Sequence, residues 1–238
     1  MKRYDASIPW LKSVPYLAGL SPTVLATVAA HCRLKSLRKG QFVFMEGEPC
    51  QDLCILASGR VKCYRTSAEG REQVMKVFDR PGDTFCIPSA FSTGRHIVTA
   101  KALTETRLYS LEVDTVNRLA REHPSLALWL VATAGDQMQT LVTLAEDLSL
   151  RTATARLAKL LCEVALVDGV RAGNEILVRR ERLREEEIAS LLGTVRVHVS
   201  RSLKRLASAG AIALSREVIC IPDLIALRRL SEGNCQPR

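Results

Sequence analysis

The chain has 238 residues, 47% of them hydrophobic and 25% charged, with a formal net charge of +9 and a pI near 9.4. That length holds one large domain or two ordinary ones, and the composition is that of a globular protein with real cores. No run approaches the roughly 20 apolar residues that span a bilayer, and Met1-Lys2-Arg3-Tyr4-Asp5 leads into no signal-peptide pattern, so the expected location is the cytoplasm, with no membrane partner.

In that compartment the eight cysteines (32, 50, 54, 63, 86, 162, 220 and 235) are read as thiols, and none forms a CxxC pair. The basic balance fits a polyanionic partner without requiring one. Four histidines (31, 96, 123 and 198) fall in separate segments. With no Walker loop, zinc-ligand cluster or nucleophile–base pair at recognisable spacing, the chain reads as a non-enzyme.

Residues 8–31 carry short helical patterns broken by Pro9, Pro15 and a Ser21-Pro22 helix start. From Leu34 the texture changes to short apolar runs, among them Phe42-Val43-Phe44, Leu53-Cys54-Ile55-Leu56 and Val74-Met75-Lys76-Val77-Phe78. Gly40, Gly47, Gly59, Gly70, Gly82 and Gly94 punctuate them. Short strands with glycine at intervals near ten residues predict an antiparallel β-barrel or sandwich over about residues 33–112. Asp114 is an expected N-cap for a short helix reaching His123.

Pro124 suits the first turn of the next helix, which runs to about Leu150 without proline. Leu130, Ala134, Gln137, Leu141, Leu144 and Leu148 step by four, three, four, three and four along it. That a/d spacing predicts a coiled-coil seam and a homodimer. Leu150-Arg151-Thr152 is the expected hinge. An amphipathic helix from Thr152 to Val167 follows, with Leu157, Leu160, Leu161 and Val164 inward, ended by Asp168-Gly169. From residue 152 onward there are 15 basic and 10 acidic side chains, a local excess of five.

Leu183 to Leu192 reads as a short helix with Ile188, Leu191 and Leu192 on one face. Gly193 supplies the left-handed backbone of a tight turn, and Thr194 is the expected cap of the next helix. In Val195–Leu206 the stripe Val199, Leu203 and Leu206 (i, i+4, i+7) faces a core. Arg196, Val197, Ser200, Arg201 and Lys204 are left to project outward. A helix of this size enters a DNA major groove, where an Arg can bind guanine O6 and N7 together. Residues 211–221 read as two strands around a turn, a wing.

Glu187-Ile188-Ala189, Gly193-Thr194, Val199-Ser200-Arg201, Leu203-Lys204-Arg205-Leu206 and Gly210-Ala211-Ile212 resemble the helix-turn-helix signature of the CRP/FNR superfamily. Gly47-Glu48, Gly59-Arg60-Val61-Lys62 and Pro81-Gly82-Asp83 resemble its cyclic-nucleotide-binding-like barrel. The resemblance implies an α+β protein in three parts. These are an N-terminal helical and β-barrel sensor domain (1–123), a dimerisation helix (124–150) and a C-terminal winged helix-turn-helix (151–238). It also implies a dimeric, sequence-specific transcription regulator that binds double-stranded DNA and works with RNA polymerase. A change at the barrel would be relayed through the long helix and hinge to the recognition helices. Thr194, Arg196, Val197, His198, Ser200, Arg201 and Lys204 are the implied DNA-contacting set. Val197 stands where the family's base-reading Glu is usual, which implies a different half-site.

For the effector, Gly82-Asp83 aligns the family's phosphate cassette so that its Gly-Glu positions become Cys86 and Ile87, and its Arg falls at or beside Arg95-His96. The ribose-binding Glu is absent, which disfavours cAMP. Gly82-Asp83-Thr84-Phe85-Cys86 is similar to the haem segment of the CooA-type carbon monoxide sensors, where that Cys is an axial ligand, although the following His is Pro88 here. Haem on Cys86, with His96 as a substitute ligand, thiol redox sensing, an unassigned small ligand near Cys86, Arg95 and His96, and no ligand at all stay open at this point. A binding module without a transcriptional role is the remaining alternative.

Overall fold

A computed structural model describes residues 8–12, 14, 17–180 and 184–232. Pro15, Leu183 and Cys235, used above, lie outside them. Contacts divide the chain into two compact units: the chain up to Arg65 with Met75–Leu141, and Thr66–Val74 with the chain from Val142 onward.

The first unit begins with α1 (Ile8–Leu11), a 3-10 turn (Leu17–Gly19) and α2 (Pro22–His31). Ser21 caps α2, its hydroxyl accepting from the Val24 amide at 3.3 Å, and Pro22 fills a first-turn position that needs no N–H donor. Strands β1 (Arg33–Leu37), β2 (Phe42–Phe44), β3 (Asp52–Ser58), β4 (Val61–Thr66), β5 (Glu72–Phe78), β6 (Thr84–Phe85), β7 (Thr99–Ala102) and β8 (Thr106–Glu112) follow, with α3 (Ile87–Phe91) between β6 and β7. They form two four-stranded sheets, ordered β1-β8-β3-β6 and β2-β7-β4-β5.

The unbroken apolar run in β3 has a specific cause. Alternate side chains point to opposite faces, and both faces of this strand are covered. Leu53 and Ile55 join Leu111, Val28, Leu119 and Leu126 in a core under the helices. Cys54 and Leu56 join Phe44, Val61, Phe78, Phe85 and Leu108 between the sheets. Gly59 turns β3 into β4 at φ +94°, where a Cβ would lie 2.4 Å from the Glu105 carbonyl oxygen.

Helix α4 (Val113–Glu122) starts at Glu112 without a side-chain cap, so Asp114 sits in its first turn and is not the N-cap. Helix α5 (Pro124–Leu150) has the predicted length, but part of the expected seam is taken up by packing within the chain. Leu130 is 8% exposed, buried with Leu126 and Trp129, and Ala134 packs on the same core. Gln137 Nε2 donates to the Thr84 carbonyl at 2.7 Å. These three seam positions therefore face the barrel. The outward apolar stripe is Leu128, Val131, Met138 and Val142, with Gly135 and Ala145 in step. Of the remaining seam positions, Leu141 and Leu148 are exposed and Leu144 is half-buried.

The second unit contains α6 (Ala153–Asp168), β9 (Val170–Ala172), β10 (Glu175–Arg179), α7 (Glu185–Leu192), α8 (Arg196–Ser208), β11 (Ala213–Leu214), β12 (Val218–Ile221) and α9 (Leu224–Glu232). Thr152 caps α6 by accepting from the Ala155 amide at 3.2 Å. The α5–α6 junction is pinned by Asp147, which pairs with Arg151 at 2.8 Å and Lys159 at 2.5 Å. The strands make one antiparallel sheet, β11-β12-β10-β9. Leu157, Leu161, Ile188, Leu192, Val199, Leu203, Leu206, Ile219, Ile221 and Leu227 form its core.

Candidate nucleic-acid interface and sensor cavity

Helix α7 and helix α8 are joined by Gly193 at φ +63°, in the left-handed region that glycine enters without Cβ strain. Buried Val199, Leu203 and Leu206 fix the rotation of α8. Arg196, Val197, His198, Arg201, Lys204 and Arg205 are left exposed, with Ser200 half-buried between them. Two expectations change here. Thr194 is 9% exposed and does not cap α8; the N-cap is Val195, with no side-chain hydrogen bond. The Thr194 hydroxyl instead meets His198 Nδ1 at 3.1 Å, so it orients an exposed ring from beneath.

The two outward arginines differ in what holds them. Arg196 pairs with Glu185 and with Glu186, each at 3.3 Å. Among the described residues no acidic side chain pairs with Arg201 or Lys204. The three acids opening α7 complement the amide end of that helix, and two of them also neutralise one end of the basic face. The wing strands β11 and β12 lie in the same sheet as β9 and β10, a hairpin whose sequence signal, the Gly173-Asn174 turn before Ile176-Leu177-Val178, the sequence reading missed.

In the barrel, a cavity of about 250 Å³ is lined by Phe44, Cys63, Phe78, Phe85, Cys86 and Gln137 among others. No acidic side chain lines it, so the carboxylate that would accept ribose hydroxyls is missing in space as well as in sequence. Arg95 does not line it either. Its guanidinium donates to the Gly47 carbonyl at 2.8 Å, outside the cavity lining.

Cys86 does border the cavity, and it is the one described non-glycine residue with positive φ, at +79°. Holding a side chain in that region costs about 1–2 kcal/mol. Burial, then the hydrogen bonds its S–H donates to Cys50 and Cys54, pushes its thiol well above the ordinary range. Cys50 moves the other way, because the hydrogen bond from Cys86 favours its thiolate. Burial raises Cys63 to about 12. All seven described cysteines are free thiols, six of them buried.

His96 is 6% exposed and stacks flat on Phe44, with ring centroids 3.6 Å apart and planes within 7°. Its Nδ1 is buried without a hydrogen-bond partner, and burial pulls its pKa down. The donor atoms of Cys50, Cys86 and His96 lie within 4.8 Å of one another. Sequence reasoning singled out Cys86 and His96 and missed Cys50 as their neighbour. A haem does not fit beside them. The cavity is smaller than the roughly 300–1,000 Å³ that takes drug-sized ligands, and Pro88 offers no imidazole.

Residues 34–123 match the cyclic nucleotide-binding domain family and residues 155–230 the Crp-like helix-turn-helix domain family. The chain is 29% identical over 211 residues to a CRP-like cAMP-activated global transcriptional regulator of Mycobacterium tuberculosis, covering 89% of this chain and 93% of that one. It is 27% identical over 223 residues to the cyclic AMP receptor protein of Thermus thermophilus, covering 94% and 99%. A CooA mutant from Carboxydothermus hydrogenoformans shares the fold with a TM-score of 0.72 at 22% identity, over 96% of this chain and 97% of that one. With a cyclic-nucleotide-binding barrel, a long helix and a Crp-like helix-turn-helix in this order, the chain belongs to the CRP/FNR superfamily of transcription regulators.

Proposed function

We propose that two copies of the chain pair through the outward stripe of α5 and set their α8 helices into successive major grooves of a near-palindromic DNA site. The observation that carries this reading is the outer face of α8. Arg196, Arg201, Lys204 and Arg205 are exposed on a helix whose rotation is fixed by its own buried stripe. Arg201 reads a base, Arg196 a base or phosphate, and Val197 offers a methyl-sized apolar contact such as a thymine supplies. His198 and Ser200 flank them, and Lys204 reaches phosphate. Thr194 acts through His198.

The barrel carries the signal, and α5 with its Asp147-pinned junction relays it. The regulator works in the cytoplasm alongside RNA polymerase and catalyses no reaction. Relatives are named for cAMP, but the absent carboxylate and the withdrawn Arg95 favour another effector here. The test is selection of duplexes from random sequence, followed by titration of the best one. Arg201→Ala is expected to cost about 1–3 kcal/mol and to relax specificity at one position per half-site. Equal loss on every sequence would assign Arg201 to phosphate, and no selected duplex at all would end the DNA reading. A calorimetric titration with cAMP is expected to show no binding.

A further inference from the structure

We propose that Cys50, Cys86 and His96 form a binding site for one thiophilic d10 metal ion, zinc(II) or copper(I). The three residues come from separate segments: Cys50 just before β3, Cys86 at the start of α3, and His96 between α3 and β7. All three are buried, and their donor atoms lie within 4.8 Å of one another. Metal–sulfur bonds of about 2.3 Å and metal–nitrogen bonds of about 2.0–2.1 Å place neighbouring donors roughly 3.6–4.0 Å apart. The cluster therefore closes on an ion by small side-chain adjustments.

Two further observations favour a ligand over simple packing. His96 Nδ1 is buried without a partner in a ring held flat against Phe44, whereas a buried polar atom normally finds one. Cys86 is kept at φ +79°, and strained backbone of this kind gathers at ligand clamps. The donor set then selects the ion. Two sulfurs and one imidazole suit zinc or copper(I) and are poor donors for calcium or magnesium. Three ligands leave zinc one position short of its usual four, and Cys86 borders the cavity through which a small fourth ligand can reach it.

Capture of the ion does not depend on the regulator reading; only its role as the barrel's signal does. Reduced, metal-free full-length protein is titrated without oxygen, with zinc(II) against a chromophoric chelator and with copper(I) against a copper(I) chelator. Cobalt(II) serves as the spectroscopic probe. One equivalent per chain of either ion is expected, with a thiolate-to-cobalt charge-transfer band, and magnesium is expected not to compete. Cys50→Ser, Cys86→Ser and His96→Gln each weaken binding at least about tenfold, while Cys162→Ser, in the other unit, leaves it unchanged. The cobalt band on the unaltered protein keeps the test alive if a variant fails to fold. Absence of one-equivalent binding by both ions, binding without the cobalt band, or binding that survives all three substitutions would overturn the site. DNA affinity measured in the same samples tests the regulator reading separately.

Discussion

Replacing Glu185 by Gln tests whether the acids of α7 restrain the basic outer surface of α8 proposed to meet DNA. In the free protein Arg196 Nε lies 3.3 Å from Glu185 and its Nη1 lies 3.3 Å from Glu186, on a side chain that is 68% exposed. Exposed pairs of this kind contribute about 0.2–1 kcal/mol. To engage DNA, Arg196 has to give up part of that, and a carboxylate left beside the groove repels phosphate. Glu185→Gln is therefore expected to tighten binding by roughly 1.4- to 5-fold at low salt. The gain shrinks as salt rises, because exposed charges are screened. Fluorescence anisotropy on a selected duplex at several salt concentrations reads it. The double variant Glu185→Gln, Arg196→Ala supplies the control, since the gain disappears once its beneficiary is gone. Weaker binding by Glu185→Gln, or an identical gain with and without Arg196, would refute the restraint.

Three other expectations follow from the same structure. Gly59→Ala places a Cβ 2.4 Å from the Glu105 carbonyl oxygen and 2.7 Å from Thr106 Cα at φ +94°. Left-handed strain and backbone displacement together cost the barrel about 2–5 kcal/mol, read in urea by tryptophan fluorescence, because Trp10 and Trp129 both lie in the first unit. An unchanged midpoint would refute the contact. Burial and then the Glu175 carboxylate, 3.0 Å from its sulfur, push Cys220 up to about 11. At pH 8 its thiolate fraction is smaller by about a hundredfold, partly offset by greater nucleophilicity, so alkylation should run about tenfold slower than for an ordinary thiol. The rate should rise with pH through that value, and Glu175→Gln should raise it only in part, because burial, the larger cause, remains. Met138→Asp, in the outward stripe of α5, is expected to shift the protein from dimer to monomer by light scattering, whereas the same change at a neighbouring outward polar position such as Gln139 should not.

Sequence periodicity located α8 and its inward stripe because one face alone is apolar there. On α5 the same periodicity does not distinguish an inward from an outward face. That helix is apolar on two sides, with Leu126, Leu130 and Ala134 facing the barrel and Leu128, Val131 and Met138 facing out. Both sets step by threes and fours, and only the position of the barrel distinguishes them. Strand β9 is hard to read because Val170–Ala172 is exposed throughout and carries no alternation, whereas β10 was legible in the Gly173-Asn174 turn and the Ile176-Leu177-Val178 run after it. Val195 caps α8 against the residue-type preference, since Thr194 is occupied with His198. The grouping of Cys50, Cys86 and His96 was unreadable for another reason. It arises from the closing of β3, α3 and the β7 approach on one another, and no spacing rule encodes it.

The backbone at Cys86 has a mechanical consequence. Its sulfur is one bond from the Cβ and two from a main chain already away from its resting angles, and α3 begins at the very next residue. A pull on that atom has a single side-chain torsion in which to dissipate before it reaches Ile87, which is anchored in the packing beneath the helices. Chemistry at one sulfur can thus be transmitted as displacement of a whole helical turn.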